Sequence, residues 1–263
     1  MDKFKTIIAA AAVSCLPFTA QAQQKIHSHN DYRQEVPFYE AYSQGIDCIE
    51  CDMFHIKGSK FLVGHDMKDL DEAMTFDKVY LKPVVNLFRN NGGHAWLYAP
   101  EKKLTLMVEI KSKDPKAYLK ALSKKLSGYR DVFDPKSNPD ACGLMITGYN
   151  LPYDSFTKYP AYFMFDVQYT ECDGKDLSPE QMAHVATFST NFSKISKWNG
   201  KGEFSTKDRE TVQRLIDEVH SMGKGIRFWG APDTEEAWKT FSEMGVDYIN
   251  TDHVEACASF FRK

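Results

Sequence analysis

The sequence has no excess of either charge and few cysteines, glycines or prolines. Its 33 basic residues stand against 36 acidic ones, a formal charge of −3, so no general basic field exists to hold nucleic acid. Six cysteines, 15 glycines and 11 prolines in 263 residues exclude a disulfide-packed miniature scaffold and a collagen. No apolar run after residue 22 approaches a membrane span. What remains is a chain with 43% apolar and 13% aromatic residues, which is enough for a large core.

The first 22 residues have the pattern of a secretory signal peptide. A short basic start precedes the apolar stretch Thr6–Ala20, and Ala20–Ala22 is an A-x-A cleavage signal. We therefore expect a mature domain of residues 23–263 that is exported to the periplasm or secreted. Anchoring as a lipoprotein at Cys15 is the less favoured alternative. The five cysteines left after cleavage match no zinc framework, and we expect them to be mostly buried and free.

Short apolar runs alternate with helical patterns along the rest of the chain. Eight strands with intervening helices predict an α/β fold, a (β/α)8 TIM barrel, at a length typical of that architecture. No repeat or linker marks a second domain, so we expect a single barrel domain. The predicted strands are Lys25–His29, Ile46–Asp52, Leu104–Lys111, Gly143–Gly148, Ala161–Val167, His184–Ser189, Gly225–Trp229 and Val246–Thr251. The predicted helices are Pro37–Gln44, Lys78–Asn90, Pro115–Tyr129, Thr206–Met222, Thr234–Met244 and Val254–Phe261.

Two excursions interrupt this alternation after the second strand. Phe54–Lys57 and Phe61–Gly64 flank a Gly-Ser turn and predict a β-hairpin that extends the strand. A long insertion, Met67–Glu101, then precedes the third strand. Extra segments that follow a barrel strand lie at the carboxyl-terminal mouth, where active sites are built. Both excursions are therefore expected at the mouth.

Three carboxylates are expected to converge at neighbouring strand ends. Glu50 and Asp52 share one face of the second strand because side chains alternate along a strand, and Glu109 lies near the end of the third. Unpaired ionised groups inside a barrel are costly, and these three repel each other. A divalent cation resolves the repulsion. Since all the ligand atoms are oxygen, we expect a hard ion, Ca²⁺ or Mg²⁺.

Four short motifs occur in a fixed order around these residues. They are H-N-D at His29–Asp31, E-x-D at Glu50–Asp52, H-D at His65–Asp66 and E-x-K at Glu109–Lys111, and Gly245–Asp252 continues the pattern in the tail. Together they resemble the glycerophosphodiester phosphodiesterases, within the phosphatidylinositol-phospholipase-C-like superfamily. The opening H-S-H-N-D-Y segment is most similar to the altered-inheritance-of-mitochondria branch of that superfamily.

The resemblance implies a metal-dependent phosphoric diester hydrolase of lipid metabolism, acting on a glycerophosphodiester or on a lipid-derived head group. It implies one divalent cation, an acid–base pair of histidines and a lysine on the phosphate. The residues it assigns to these roles are, in that order, Glu50, Asp52 and Glu109, then His29 and His65, then Lys111.

The chain departs from the family pattern next to the first histidine. The family usually has arginine there, whereas this sequence has Asn30, and the Pro-Glu-Asn-Thr motif is absent as well. A replacement cation for the phosphate is therefore expected, either Arg33 or Arg227, because a guanidinium binds two phosphate oxygens at once. Asn30 and Trp229, which faces the same way as Arg227, complete the predicted substrate-binding set.

Three alternative functions remain open. A phospholipase C-like enzyme would cut on the other side of phosphorus or act on inositol or sphingoid phospholipids. A non-catalytic barrel would only bind the head group. His27 and His29 form an H-x-H pair, which in amidohydrolase-type barrels begins a zinc site. Such a site needs further histidines at later strand ends, and only Asp252 fits its remaining requirements. The oligomeric state is not predicted by any of these patterns.

Overall fold

The computed structural model describes residues 24–262, and its centre is a closed sheet of nine strands. Eight strands are parallel and follow one another around a barrel that the pairing of the first strand with the second closes. The strands are β1 Lys25–Ser28, β2 Cys48–Lys57, β3 Lys60–Val63, β4 Thr105–Ile110, β5 Gly143–Thr147, β6 Phe163–Gln168, β7 Val185–Asn191, β8 Gly225–Trp229 and β9 Tyr248–Thr251. The (β/α)8 barrel predicted from the alternating pattern is confirmed.

Helices cover the outside of the barrel and pack their apolar faces against it. The α-helices are α1 Tyr39–Ser43, α2 Lys82–Asn90, α3 Pro115–Leu126, α4 Arg130–Phe133, α5 Pro179–Met182, α6 Thr206–Ser221, α7 Glu235–Met244 and α8 Val254–Phe261. All six predicted helices are present within a few residues of their predicted ends. The two short helices α4 and α5 have only four residues each and were too brief for a periodic pattern to predict.

The hairpin and the insertion both follow the second strand in the order that the sequence predicted. Strand β2 runs without a break to Lys57, beyond its predicted end, because its outer half pairs antiparallel with β3 from Met53 to Lys57. The turn between them passes through Gly58 at a φ of 58°, which favours glycine. The insertion contains α2 and, just before it, a turn of π-helix at Asp77–Leu81.

The lower half of the barrel interior is apolar. Cys48, Met107 and Met145 form a buried cluster there, with Ala186 and Tyr248 packed against it. The larger core lies between the sheet and the helices, and it contains many phenylalanine and tyrosine rings. All five cysteines between residues 24 and 262 are free, and four of them are buried.

Two aspartates cap strand ends at the base of the barrel, and each follows a Gly-apolar pair. Asp47 accepts a hydrogen bond from the backbone N–H of Ile26 at 2.9 Å and pairs with Lys102. Asp247 does the same for the N–H of Ile226, at 2.8 Å. Both carboxylates are therefore supplied with partners by the protein itself.

No helix within residues 24–262 has the length and apolar character needed to cross a membrane. The predicted signal peptide, including Cys15, lies outside the described residues.

Candidate active site

A cavity of about 410 Å³ opens at the carboxyl ends of the barrel strands. Parallel strands that all end at one rim bring together side chains far apart in sequence. Eight of the ten residues predicted as site residues line this cavity: His29, Asn30, Glu50, His65, Glu109, Lys111, Arg227 and Trp229. Asp52 is fully buried beside it. Arg33 is not among the lining residues; its exposed guanidinium lies 5.9 Å from the ring of Tyr32.

The three predicted metal ligands lie together on β2 and β4. Asp52 and Glu109 are register partners in adjacent strands, and Glu50 is two residues earlier on the same face of β2. Each of the three carboxylates has an oxygen within 4.8 Å of an oxygen from both others. No hydrogen bond joins ionised carboxylates, so this crowding must be relieved by a positive charge or by a proton on one of the three.

One oxygen of Asp52 is the clearest sign of what that charge is. Oδ2 is in contact with Tyr32, His65 and Lys111, at 2.9, 2.8 and 3.1 Å. Oδ1 is buried and has no hydrogen-bond partner. A buried carboxylate oxygen without a partner costs free energy, and a bound cation at this point would remove that cost.

The surroundings of Glu109 and Glu50 shift the pKa values of these two carboxyl groups in opposite directions. Burial, followed by the charges of Asp52 and Glu50, raises the pKa of Glu109 to about 8. Burial also acts against ionised Glu50, but its hydrogen bond to His27 and the charge of Arg227 outweigh burial and lower its pKa. Without an ion, the site therefore holds a proton on Glu109 near neutral pH.

The local charges balance when one divalent cation is added. Lys111 contacts Asp52 and Glu109, and Arg227 contacts Glu50 and Asp166. With all four carboxylates ionised, this group of contacting side chains has two more negative charges than positive ones. The donor set is all oxygen, which suits Ca²⁺ or Mg²⁺. The residues present therefore fit a hard divalent ion.

Each predicted catalytic histidine is paired with an aspartate. Nδ1 of His29 lies 2.9 Å from Oδ1 of Asp252, which directly follows β9. Burial opposes protonation of His29, but this hydrogen bond and the nearby carboxylate charges outweigh it and raise the pKa. Nδ1 of His65 lies 2.8 Å from Oδ2 of Asp52. In both rings the aspartate fixes Nδ1. Nε2 of His65 is left for a reacting group, whereas Nε2 of His29 lies 3.1 Å from the side-chain nitrogen of Asn30.

Lys111 is the cation nearest the carboxylates. Its ammonium group lies 3.1 Å from both Asp52 and Glu109, and 3.3 Å from Nδ1 of His65. The guanidinium of Arg227 is already held by other side chains of the protein. Its guanidinium donates to Asp166 at 2.7 Å and contacts Asn250 and Glu50 at 3.4 and 3.7 Å, and its side chain is only 4% exposed. Of the two, Lys111 has the more freedom to meet a phosphate.

Comparison with known families gives a result that matches this geometry. The family model for the AIM6-like phosphodiesterase domain matches residues 18–158, more than half of the chain. The chain belongs to the AIM6-like phosphodiesterase family. A second model, for the glycerophosphoryl diester phosphodiesterase family, matches residues 225–255 and so covers β8 and β9. The resemblance noted from the motifs is confirmed, and the chain is a phosphodiester hydrolase at the level of this superfamily.

Curated relatives of this AIM6-like chain carry a name taken from a phenotype. Altered inheritance of mitochondria protein 6 of Eremothecium gossypii is 26% identical over 285 residues, covering 95% of this chain and 72% of the relative. The protein of the same name from Saccharomyces cerevisiae is also 26% identical, covering 98% and 78%.

Solved structures support the barrel fold of the AIM6-like chain at low identity. A glycerophosphodiester phosphodiesterase from Agrobacterium tumefaciens superposes with a TM-score of 0.54 at 17% identity, covering 91% of this chain and all of the other. A phosphodiesterase from Oleispira antarctica, in complex with the product sn-glycerol-3-phosphate, has a TM-score of 0.55 at 11% identity, covering 92% and 98%.

The structure adds residues that the sequence prediction did not place in the site. Thr147, Gly148, Tyr149, Gln168 and Gly230 also line the cavity. Their positions at the ends of β5, β6 and β8 were the available signal, because the last residues of barrel strands face the mouth. Tyr32 was missed as well: its hydroxyl lies 2.8 Å from the Asn30 side-chain oxygen and 2.9 Å from Asp52.

Proposed function

We propose that the protein is a metal-dependent phosphodiesterase that cleaves glycerophosphodiesters or head-group phosphodiesters derived from lipids. One divalent cation, Ca²⁺ or Mg²⁺, would be held by Glu50, Asp52 and Glu109. His29 and His65 would act as the acid–base pair. The observation that carries the proposal is the buried Oδ1 of Asp52, which has no hydrogen-bond partner and belongs to a group of three crowded carboxylates. Two histidines that are each paired with an aspartate line the same cavity.

The chemistry requires positive charge and two proton carriers at one phosphorus atom. A divalent cation at this site would act as a Lewis acid on the phosphate oxygens. Lys111 adds a second positive charge at the same edge of the cavity. One histidine takes the proton from the attacking hydroxyl or water, and the other gives a proton to the departing alkoxide. Asp252 and Asp52 hold Nδ1 of the two rings, so this transfer would use Nε2 of each. The Asn30 side chain, 3.1 Å from Nε2 of His29, would have to give up that contact to a reacting group.

We expect the substrate to carry a glycerol-type alcohol on its phosphate. The cavity is small, about 410 Å³, and its lining mixes polar groups with Trp229 and Tyr149. The ring of Trp229 is fixed by its N–H, which donates to Gln168 at 3.0 Å. The Oleispira antarctica phosphodiesterase, which shares the fold, was solved with sn-glycerol-3-phosphate. These facts support a small phosphodiester ligand for this chain.

Phosphorus NMR on a panel of phosphodiesters tests the proposal. The panel would contain glycerophosphocholine, glycerophosphoinositol, a lysophospholipid and a sphingoid phospholipid, each with Mg²⁺, with Ca²⁺ or with excess chelator. We expect glycerol phosphate, directly or through a cyclic phosphate, and no turnover in chelator. Release of a phosphorylated head group would favour the phospholipase C-like alternative. Head-group binding without turnover of any panel member would favour a binding module, and full activity in chelator would refute the metal assignment.

We further propose that the protein is exported after cleavage at residue 22. The support is the sequence of residues 1–22 alone. Mass spectrometry of the protein purified from its native host should give an amino terminus at residue 23. A chain that retains its first residues in the cytoplasm would contradict export, and a lipid-modified Cys15 would show anchoring instead.

A further inference from the structure

His27 is a buried histidine at the centre of the site that the proposed chemistry does not use. It lies on β1, two residues before His29, and its side chain is fully buried. It does not line the cavity. Its Nε2 lies 2.5 Å from Oε2 of Glu50, the shortest contact that any of the three carboxylates makes. Its one side-chain hydrogen bond among the described residues goes to a proposed metal ligand, and a buried polar side chain in that position calls for an explanation.

The hydrogen bond connects His27 directly to Glu50. An ionised carboxylate can only accept, so Nε2 of His27 donates to Oε2 of Glu50. Nδ1 of His27 is buried and has no hydrogen-bond partner. Among residues 24–262, Glu50 is therefore the only hydrogen-bond partner of the His27 side chain.

Glu50 also has a competing partner. The guanidinium of Arg227 is 3.7 Å from Oε2, the oxygen that His27 holds. Arg227 is itself fixed, because Asp166 binds it at 2.7 Å. Asp166 is fixed in turn by the hydroxyl groups of Thr147, Thr187 and Ser189. A shift of about 1 Å would bring Glu50 into a direct charge-assisted hydrogen bond with Arg227.

Both contacts fall on the same oxygen of Glu50. Among the described residues, no hydrogen bond ends on Oε1, and Glu50 lines the cavity. The carboxylate is thus held by one oxygen and presents the other. If it turned to bind Arg227 with both oxygens, as guanidinium groups favour, neither would remain free for an ion.

We propose that His27 is a positioning residue that holds Glu50 away from Arg227 and so keeps one carboxylate oxygen free for the divalent cation. The inference rests on the metal site of the proposed function. This role accounts for His27 on β1 without the zinc site that an H-x-H pair begins in amidohydrolase-type barrels. His27 contributes through Glu50 and touches neither substrate nor ion.

The test is the affinity for Mg²⁺ or Ca²⁺ by titration calorimetry, measured with no substrate present. His27→Gln places its amide N–H near the position of Nε2, whereas His27→Asn is too short to reach Glu50. We expect His27→Asn to weaken ion binding about 10- to 100-fold, the usual effect of removing a hydrogen-bond partner of a metal ligand. His27→Gln should stay within a few-fold of wild type. Melting temperatures in chelator check that both variants fold.

A double variant identifies the competitor. Arg227→Met alone should bind the ion as well as wild type or more tightly, because a nearby positive charge has been removed. Adding Arg227→Met to His27→Asn should restore most of the lost affinity, since Glu50 no longer has a cation to turn toward. Equal ion affinity of His27→Asn and wild type would overturn the proposal, and so would a double variant that stays as weak as His27→Asn.

The readout separates this inference from the proposed activity. A wild-type protein that binds the ion but turns over no phosphodiester would refute the enzyme function, and the affinities of the variants would still judge His27. A wild-type protein that binds neither ion would refute both.

Discussion

The carboxylates at the two ends of the barrel have opposite surroundings. At the base, Asp47 and Asp247 each bind a backbone N–H and a basic side chain, so the protein satisfies them completely. At the mouth, Glu50, Asp52 and Glu109 crowd within 4.8 Å of one another, and one buried oxygen has no partner. The base uses acidic groups to fix strand ends. The mouth keeps unsatisfied charge, which marks it as the place for an external ligand.

The same contrast appears in the barrel interior. Its lower part contains the apolar cluster of Cys48, Met107 and Met145. Its upper part contains buried ionic contacts, from His27 through Glu50 and Arg227 to Asp166. Replacing buried ion pairs by apolar groups often leaves stability unchanged or improves it, so the ionic layer is not explained by stability. The proposed metal site gives this layer a role, because it holds Glu50 in place.

The largest expected effect comes from removing a mouth carboxylate. Glu50→Gln should lower turnover about 10³-fold or more, because it removes one ion ligand and the charge that attracts the ion. Excess chelator should do the same to wild type. Both are measured with the phosphodiester that proves best in the panel. The matched variant at the base of the barrel, Asp47→Ala, should have the kcat of wild type. Comparable losses of kcat in the two variants would contradict the difference between the mouth and the base of the barrel.

The next effect separates catalysis from ion binding within the mouth. His29→Ala should lower kcat about 10²- to 10³-fold, the usual contribution of an acid–base group. Its ion affinity should equal that of wild type, because His29 is not in the carboxylate group. Titration calorimetry and steady-state kinetics on the same preparation check both halves. Weak ion binding by His29→Ala would place the ring among the ligands instead.

A third prediction concerns stability, where mouth and base should differ in sign. In excess chelator at pH 8, Glu109→Gln should raise the Tm by a few degrees, because it removes a buried negative charge that repels Asp52 and Glu50. Asp47→Ala should lower the Tm instead, by a loss of about 1–3 kcal/mol, because the N–H of Ile26 loses its acceptor. Calorimetry of both variants in chelator checks this. Destabilisation by both would show that Glu109 is a structural residue.

The pH dependence of ion-free stability follows from the same group. The pKa of Glu109 is about 8 in the folded protein, compared with an ordinary value of 4.5, so the folded state binds the proton of Glu109 more tightly than the unfolded state does. The free energy of unfolding therefore includes a contribution from this proton that is complete below about pH 4.5 and is lost as the pH rises toward 8. Unfolding in chelator across this range should show the decline in wild type and a weaker one in Glu109→Gln. Identical profiles would mean that Glu109 makes no contribution.

The smallest expected effect concerns the pair of His29 with Asp252. Asp252→Asn removes the charge that raises the pKa of His29, so that pKa should fall. The limb of the pH–rate profile that reports His29 should move to lower pH, by less than about one unit, because the pair is partly exposed. Profiles of kcat/KM for both proteins measure the shift. The matched change Asp247→Asn, at the base, should leave the profile in place.

Much of the fold could be predicted because local patterns carried it. The strand and helix periodicities predicted all eight barrel strands and six of the eight α-helices, and the two that were missed, α4 and α5, have four residues each. The hairpin of β2 with β3 was predicted from its Gly-Ser turn, and the structure differs only in that β2 continues through Met53 without a break. The E-x-D and E-x-K spacings predicted which carboxylates share a rim, since alternation on strands is a local rule.

The remaining features of the site depend on partners that lie far apart in the chain. Asp252 reaches His29 across 223 residues, and Arg227 was predicted as a phosphate ligand although Asp166, 61 residues earlier, holds its guanidinium. The sequence by itself determined the barrel, the residue types at its mouth and the family. Only the tertiary structure decided which charges meet, which oxygen of Asp52 lacks a partner and which histidine is buried against Glu50. The physical reason is that residue spacing fixes the face of a strand, whereas closing the barrel fixes which faces touch.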